Sequence, residues 1–279
     1  TQEPKAVRRS MRENGIEWLE IGVGKANEMN NRQFITLCRA IVNTAKANKT
    51  KKIAIQFDAT PALFDNLENR TPSQLSQIAA ENFEMANFEF RTFKTKPKEG
   101  WVEVEEILLC GKSDAAVIAA AKRGQAIGQA VNACRELANT PGGDMTPRKL
   151  AAEAKKAATG LPVTVKTFGR AELQKLSMGA LLGVAKGSSE EPTFTVMEYK
   201  GGKGAPIVLA GKGITFDSGG LNLKHSDHIY EMHMDMSGAA AVIHSVALAA
   251  RLKLKKNVIG LLPAAENMPG NNAVRPGDV

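Results

Sequence analysis

The sequence predicts an α/β protein of two domains, on three observations. Short apolar runs alternate with stretches whose apolar residues recur at helical spacing, a rhythm that favours parallel strand pairing. With 43% apolar residues in a chain of 279, there is enough side chain to build a core in each domain. A long Ala-, Val- and Ile-rich stretch ending at Leu137 has the length of a rigid connecting helix. The boundary is expected before that helix. A smaller amino-terminal α/β domain then covers residues 1–112, and a second domain with a mixed sheet covered by helices takes 113–279.

Taken in order, Ile16 to Val23 reads as a strand, Asn30 to Ala47 as an amphipathic helix and Lys52 to Phe57 as a second strand. Thr71-Pro72 supplies an N-cap and a first-turn proline for a helix running to about Phe88. Phe83, Phe88, Phe90 and Phe93 carry no chemistry of their own and are expected in the core. A basic loop, Thr92 to Gly100, leads to a strand from Val102 to Leu109, after which Ser113 or Asp114 caps the long helix.

Beyond that helix, Thr140-Pro141-Gly142-Gly143 reads as a turn and Thr146-Pro147 as the start of a helix ending near Gly160. Val163 to Phe168 alternates as a strand, and a short helix starts near Arg170 and is closed by Gly179. Ala180 to Ala185 reads as an apolar strand. Thr193 to Tyr199 and Ile207 to Ala210 read as two strands joined in a hairpin by Gly201-Gly202-Lys203-Gly204. An Ala-rich helix from Ser237 to Leu252 should lie close to the sheet, with His244 packed in its middle. Asn257 to Pro263 is a last buried strand, and Glu266-Asn267-Met268-Pro269 a polar turn in which Glu266 has a structural role.

The net charge of +8 comes from 37 basic against 29 acidic residues, clustered at Lys5 to Arg12 and Lys94 to Lys98. Such clusters are most often solvated surface, but a basic face also leaves DNA open as a partner. Aromatic content of 5% excludes the interleaved stacking pattern of single-strand binders. Cys38, Cys110 and Cys134 are odd in number, scattered and apolar in context, which points to reduced thiols in the cytoplasm. No signal-peptide pattern opens the chain and no uncharged apolar stretch is long enough to span a membrane, so no membrane partner is expected.

The chemistry concentrates between Gly211 and Ala241, where a buried strand gives way to a helix start. Asp217, Asp235, Lys212 and Lys224 fall there among glycines and methionines, and poorly solvated charges need partners. A divalent metal site, with the carboxylates coordinating and a desolvated lysine giving up its proton, satisfies all four. Ordinary ion pairs, Lys212 with Asp217 and Lys224 with Asp235, do so as well. Phosphate loops are excluded: Pro206 and Gly213 occupy the places where a Walker loop needs Gly and Ser or Thr, and Phe216 breaks any G-x-G-x-x-G.

The run Gly211-Lys212-Gly213-Ile214-Thr215-Phe216-Asp217-Ser218-Gly219-Gly220, then Lys224, then Met234-Asp235-Met236 with Gly238-Ala239-Ala240-Ala241, resembles the leucyl aminopeptidase family, the cytosol aminopeptidases of peptidase family M17. Glu266-Asn267-Met268-Pro269 and Arg275-Pro276-Gly277-Asp278 continue the likeness, and Asn139-Thr140-Pro141, Thr146-Pro147 and Phe88 to Lys94 extend it upstream. The resemblance implies a catalytic metallo-exopeptidase domain that removes leucine-like amino-terminal residues from short peptides. It implies two divalent ions, Zn²⁺ or Mn²⁺, with Lys212 and Asp235 on one of them and Asp217 shared by both. Lys224 matches the catalytic lysine, and Met232 a residue lining the pocket for the substrate's first side chain. A homo-hexamer built as two trimers is also implied, and some bacterial relatives bind DNA.

Three departures accompany the likeness. His233 stands where the family usually has lysine, and His225 where proline often follows the catalytic lysine. The slots of the centre are already assigned, so neither histidine is placed in it. The family's Asn-Thr-Asp-Ala-Glu-Gly-Arg motif, with two more carboxylate ligands and a catalytic arginine, does not appear before Val279, so the chain is expected to be part of a longer protein or a shortened relative.

Overall fold

The computed structural model describes residues 7–13, 16–23, 25, 28–56, 67, 70–111 and 114–278. They pack as two compact units, residues 1–129 and 130–279, divided within the long helix. The expected cap Ser113 and strand residue Phe57 lie outside the described residues.

The first unit contains β1 (Val7–Glu13), β2 (Ile16–Ile21), α1 (Asn31–Ala47), β3 (Lys52–Gln56), α2 (Pro72–Asn87), β4 (Glu106–Cys110) and the start of α3 (Ala115–Asn139). β3 and β4 pair in parallel. β1 and β2 instead form an antiparallel ribbon with Val7 opposite Ile21, so the parallel rhythm does not begin at β2. β1 is invisible to pattern reading because Arg8, Arg9, Arg12 and Glu13 leave it no apolar alternation.

Both early helices start where their caps predict. Asn30 and Gln33 close a reciprocal capping box on α1, and Thr71 and Gln74 do the same on α2, with Pro72 in its first turn. α1 then buries Phe34, Cys38, Val42 and Ala45 in a core shared with Leu75, Ala79 and Phe83 of α2. Burial in that core pushes the Cys38 thiol up to about 12. Asp114 caps α3 by accepting from Val117 N at 2.8 Å.

Two expectations for this unit change. Phe83 is buried, but Phe88 and Phe90 are only partly so, and Phe93 is 57% exposed in the lysine-rich turn with its ring against Phe90. The strand expected from Val102 begins at Glu106, because the Asn87 side chain takes both backbone groups of Val104: Nδ2 donates to its carbonyl (2.8 Å) and Oδ1 accepts from its N–H (3.0 Å). Those groups are then lost to a ladder.

The second unit runs through α4 (Pro147–Ala158), β5 (Val163–Phe168), α5 (Arg170–Lys175), α6 (Gly179–Val184), β6 (Thr193–Lys200), β7 (Ile207–Ala210), β8 (Gly213–Asp217), α7 (Ser226–Ile229), α8 (Ser237–Arg251) and β9 (Asn257–Asn267). Its sheet is mixed, in the order β5-β6-β9-β7, with β8 following β7 along the same side of β9. β9 is antiparallel to β6 and parallel to β7 and β8. α8 buries Ala239, Ala240, Val242, Ile243 and Val246 in the core over this sheet. His244 sits half-buried on α8, and burial lowers its pKa to about 4.

Three expectations are corrected here. Ala180 to Ala185 is not a strand: Gly179 opens α6, and a short 3-10 turn follows at Ala185–Gly187. A six-residue apolar run carries no periodicity that separates strand from helix, and α6 is needed as cover for one end of β9. β6 and β7 do not form a hairpin, because β9 lies between them. β9 also continues through Glu266 and Asn267, so these residues end a strand and do not form the turn after it. Glu266 keeps a structural role by accepting from the Ser188 hydroxyl. Among the described residues, no helix is long and apolar enough to cross a membrane.

Candidate metal centre

β9 holds both ends of the segment that carries the site. Gly211 N donates to the Leu261 carbonyl (2.9 Å), and Ser218 N to the Asn267 carbonyl (3.0 Å). Between them, Gly211 lies against the start of α8, where a Cβ would fall 2.5 Å from the Gly238 carbonyl oxygen and 2.7 Å from Ala239 Cα. Only glycine permits that approach. It lets Ala239 N donate to the Lys212 carbonyl at 2.8 Å, fastening the helix to the strand. Asp235, just ahead of the helix, consequently lies beside Lys212, with Nζ 3.1 Å from Oδ2.

At the other end of β8 the chain turns through Gly219 (φ 90°) and Gly220 (φ 66°), left-handed conformations that a side chain would strain. The turn closes with Lys224 N donating to the Ser218 carbonyl at 2.9 Å. It carries the Lys224 ammonium back to Asp217 Oδ2 at 2.9 Å and to Met232 Sδ at 3.0 Å. Asp217 Oδ1 accepts from Gly219 N (2.9 Å) and from Asn267 Nδ2 (2.7 Å). Burial raises the pKa of Asp217, but Lys224, Gly219 and Asn267 outweigh it and hold the carboxyl below its ordinary value.

The five residues singled out in the sequence thus come together around β8: Lys212 just before it, Asp217 at its end, Lys224 in the turn after it, and Met232 and Asp235 in and just after the 3-10 turn Met232–Met234 packed beside β8. The ion pairs are exchanged relative to the simple alternative: Lys212 faces Asp235, and Lys224 faces Asp217. They are also unequal. Lys224 and Asp217 are mostly buried, whereas the Lys212 side chain is 60% exposed and its pair is worth well under ~1 kcal/mol.

The two pairs bear on whether a cation fits here. Asp235 Oδ2 is a buried atom 3.1 Å from the Lys212 ammonium, which is not aligned to donate a hydrogen bond to it, so the oxygen keeps acceptor capacity. Such an oxygen is costly to leave bare, and a cation would satisfy it. Among the described residues, no three His, Cys, Asp or Glu side chains form a metal site by themselves. The donor set therefore fits only with the Lys212 amine included.

His225 is exposed, and the His233 ring lies 3.3 Å from the Tyr230 carbonyl. Two participants escape sequence reasoning, Asn267 and Ser218. Asn267 Nδ2 reaches Asp217, and its carbonyl accepts from both Ser218 N and Ser218 Oγ, the latter at 2.7 Å. The Glu-Asn-Met-Pro motif carried the signal, but reading it as a turn hid the side chain that the strand end directs at the site.

Two family models match this chain. The catalytic domain of the cytosol aminopeptidase family matches residues 132–279, and the amino-terminal domain of the same family matches 19–97. A probable cytosol aminopeptidase of Azoarcus sp. (strain BH72) is 37% identical over 268 residues, covering 94% of this chain and 52% of the relative. That of Ralstonia nicotianae is 38% identical over 271 residues, with the same coverage of 94% and 52%. The chain spans about half the length of these curated relatives. Among solved structures, the bottromycin maturation enzyme BotP in complex with Mn superposes with a TM-score of 0.86 at 27% identity, over 100% of this chain and 57% of that one. With more than half of its residues matched by the catalytic-domain model, and that domain carrying the Lys212, Asp217, Lys224 and Asp235 arrangement, the chain belongs to the cytosol aminopeptidase family.

Proposed function

We propose that the protein is a metal-dependent aminopeptidase that removes leucine-like amino-terminal residues from short peptides. The observation that carries this reading is the arrangement around β8, where Lys212 and Asp235 meet at one end and Asp217, Lys224 and Met232 at the other. Lys212, Asp217 and Asp235 would hold the cations, with Asp217 shared between two. The Mn named for the BotP complex favours Mn²⁺, and Zn²⁺ suits the same donors. When bound, such ions supply Lewis acidity and lower the pKa of water.

The chain's own residues divide the remaining work. Lys224 is a half-buried ammonium held by a carboxylate and a thioether, so it is placed to stabilise negative charge developing on the scissile carbonyl oxygen. Met232 presents an adaptable apolar surface next to that ammonium, suited to a leucine-like side chain. Gly219 and Asn267 keep Asp217 ionised and oriented. The three free thiols, Cys38, Cys110 and Cys134, favour a reducing cytoplasm, and a homo-hexamer is the assembly expected from the family likeness.

The test is hydrolysis of a leucyl anilide to leucine and the free aniline by the purified protein, with added Mn²⁺ and with a chelator. Chelator-sensitive turnover supports the reading, and turnover unaffected by the chelator overturns its metal dependence. No turnover with any divalent ion would overturn the reading as a whole.

A further inference from the structure

Asp217 has two oxygens, and the protein treats them differently. An ionised carboxylate offers about two acceptor sites on each oxygen. On Oδ1 both are used, by Gly219 N at 2.9 Å and Asn267 Nδ2 at 2.7 Å. Oδ2 receives the Lys224 ammonium at 2.9 Å, a donor at the end of a flexible side chain, and is not saturated. The polarity of the Asn267 side chain is set by its neighbour, because the opposite flip would put the amide oxygen against a carboxylate oxygen.

Asn267 is itself fixed on its other sides. It ends β9 opposite Asp217, and its carbonyl accepts from Ser218 N and Ser218 Oγ. A Cβ at Gly220 would lie 2.8 Å from Asn267 Oδ1, so it is the missing side chain at Gly220 that leaves the amide its place beside Asp217. Nothing in the ladder requires asparagine: the backbone bonds to Ser218 would form with any residue at 267. The side-chain amide bonds the carboxylate and takes no part in the backbone ladder.

We propose that Asn267 is a positioning residue of the metal centre: with Gly219 N it saturates Oδ1 of Asp217, so that Oδ2 is the oxygen that would be left for the cations Asp217 shares. The inference rests on the metal-dependent reading above. It assigns the asparagine of the Glu-Asn-Met-Pro motif a role that neither the turn nor the strand explains. Partners of this outer kind typically change metal affinity or activity by about 10- to 100-fold when removed.

The experiment compares the intact protein with Asn267→Leu, which keeps the approximate shape and removes the donor, and with Asn267→Ala. Mn²⁺ affinity is measured by titration followed by electron paramagnetic resonance of the free ion, alongside thermal unfolding of the apo protein. Both variants should bind Mn²⁺ roughly 10- to 100-fold more weakly. Their kcat should fall at fixed Mn²⁺ with little change in KM, and excess Mn²⁺ should recover part of it. Tyr199→Phe, which removes the part-buried bond from the Tyr199 hydroxyl to the Leu254 carbonyl (3.0 Å) in the same unit and touches no residue of the centre, should lower the unfolding temperature and leave Mn²⁺ affinity near wild type.

Mn²⁺ affinity unchanged in both Asn267 variants, or a loss no greater than that of Tyr199→Phe, overturns the positioning role alone. Wild-type protein that neither binds Mn²⁺ nor cleaves the anilide overturns the proposed function and this inference with it.

Discussion

Replacing Gly211 with alanine tests the contact on which the geometry of the centre depends. The added Cβ would lie 2.5 Å from the Gly238 carbonyl oxygen and 2.7 Å from Ala239 Cα, both backbone atoms that cannot rotate aside. The start of α8 must retreat, and the bond from Ala239 N to the Lys212 carbonyl stretches beyond its 2.8 Å. Overpacking of this kind costs about 1–3 kcal/mol, and a broken buried hydrogen bond about 1 kcal/mol more. Alanine also narrows the unfolded ensemble, which returns roughly 0.4–1 kcal/mol. Gly211 is not among the glycines of positive φ, so backbone strain adds nothing. The net expectation is a loss of roughly 1–3.5 kcal/mol, or a fall in Tm of about 2–14 °C for a unit of this size.

Gly143→Ala is the matched control. A Cβ there meets nothing within 4 Å, and its φ is also not positive, so only the unfolded-state effect operates and stability should hold or rise slightly. Urea and thermal unfolding followed by circular dichroism provide both numbers. A Gly211→Ala variant within about 0.5 kcal/mol of wild type, or a Gly143→Ala variant equally damaged, would refute the claim that close backbone approach at Gly211 sets the position of α8.

Two further outcomes are expected. Lys224→Ala removes the ion partner of Asp217 and, on the proposed function, the oxyanion donor, so kcat on a leucyl anilide should drop roughly 100- to 1,000-fold; a change below about threefold would remove Lys224 from the chemistry. His244 has a folded-state pKa of about 4, lowered by burial and then by Arg251 against the opposing pull of Glu153. Between that value and an unfolded pKa of about 6.5, the unfolded state binds more protons, so stability is lost as pH falls through this window and levels off below it. Unfolding free energies at pH 7.5 and 4.5 should therefore fall further for wild type than for His244→Leu, by a difference on the order of 2–3 kcal/mol, and equal falls would refute the assignment.

What the sequence made legible follows the range of the interactions involved. Helix starts at Thr71 and Thr146 were readable to the residue, because a Thr-Pro pair caps locally. The neighbourhood of the site was readable too, since Lys212, Asp217, Lys224, Met232 and Asp235 fall in one stretch. Which lysine faces which carboxylate was not, because that pairing is decided by α8 docking on Gly211. Asn267 was missed as a participant for the same reason: it stands 50 positions from Asp217 and meets it only through the β8–β9 register. The Gly201 to Gly204 turn misled because sequential strands are usually neighbours, and here β9 comes between them.

The place of β9 in the sheet has a consequence for how the chain acquires its shape. β6 and β7 are made before β9 but have no ladder with each other; β6 can pair with β5 at once, whereas β7 and β8 must wait for Asn257–Asn267, the strand that joins them to β6. Until then the second edge of β6 and the edges of β7 are open, and the turn bearing Asp217 has no strand on which to settle. The first unit has its own core and pairs β3 with β4 inside residues 1–129, so it can fold while the second is still being made. Long-range pairing of this kind is slow, and the ribosome-bound intermediate would present an unpaired apolar strand to chaperones. The centre is thus assembled in a single late step, when β9 docks and brings Asn267 against Asp217.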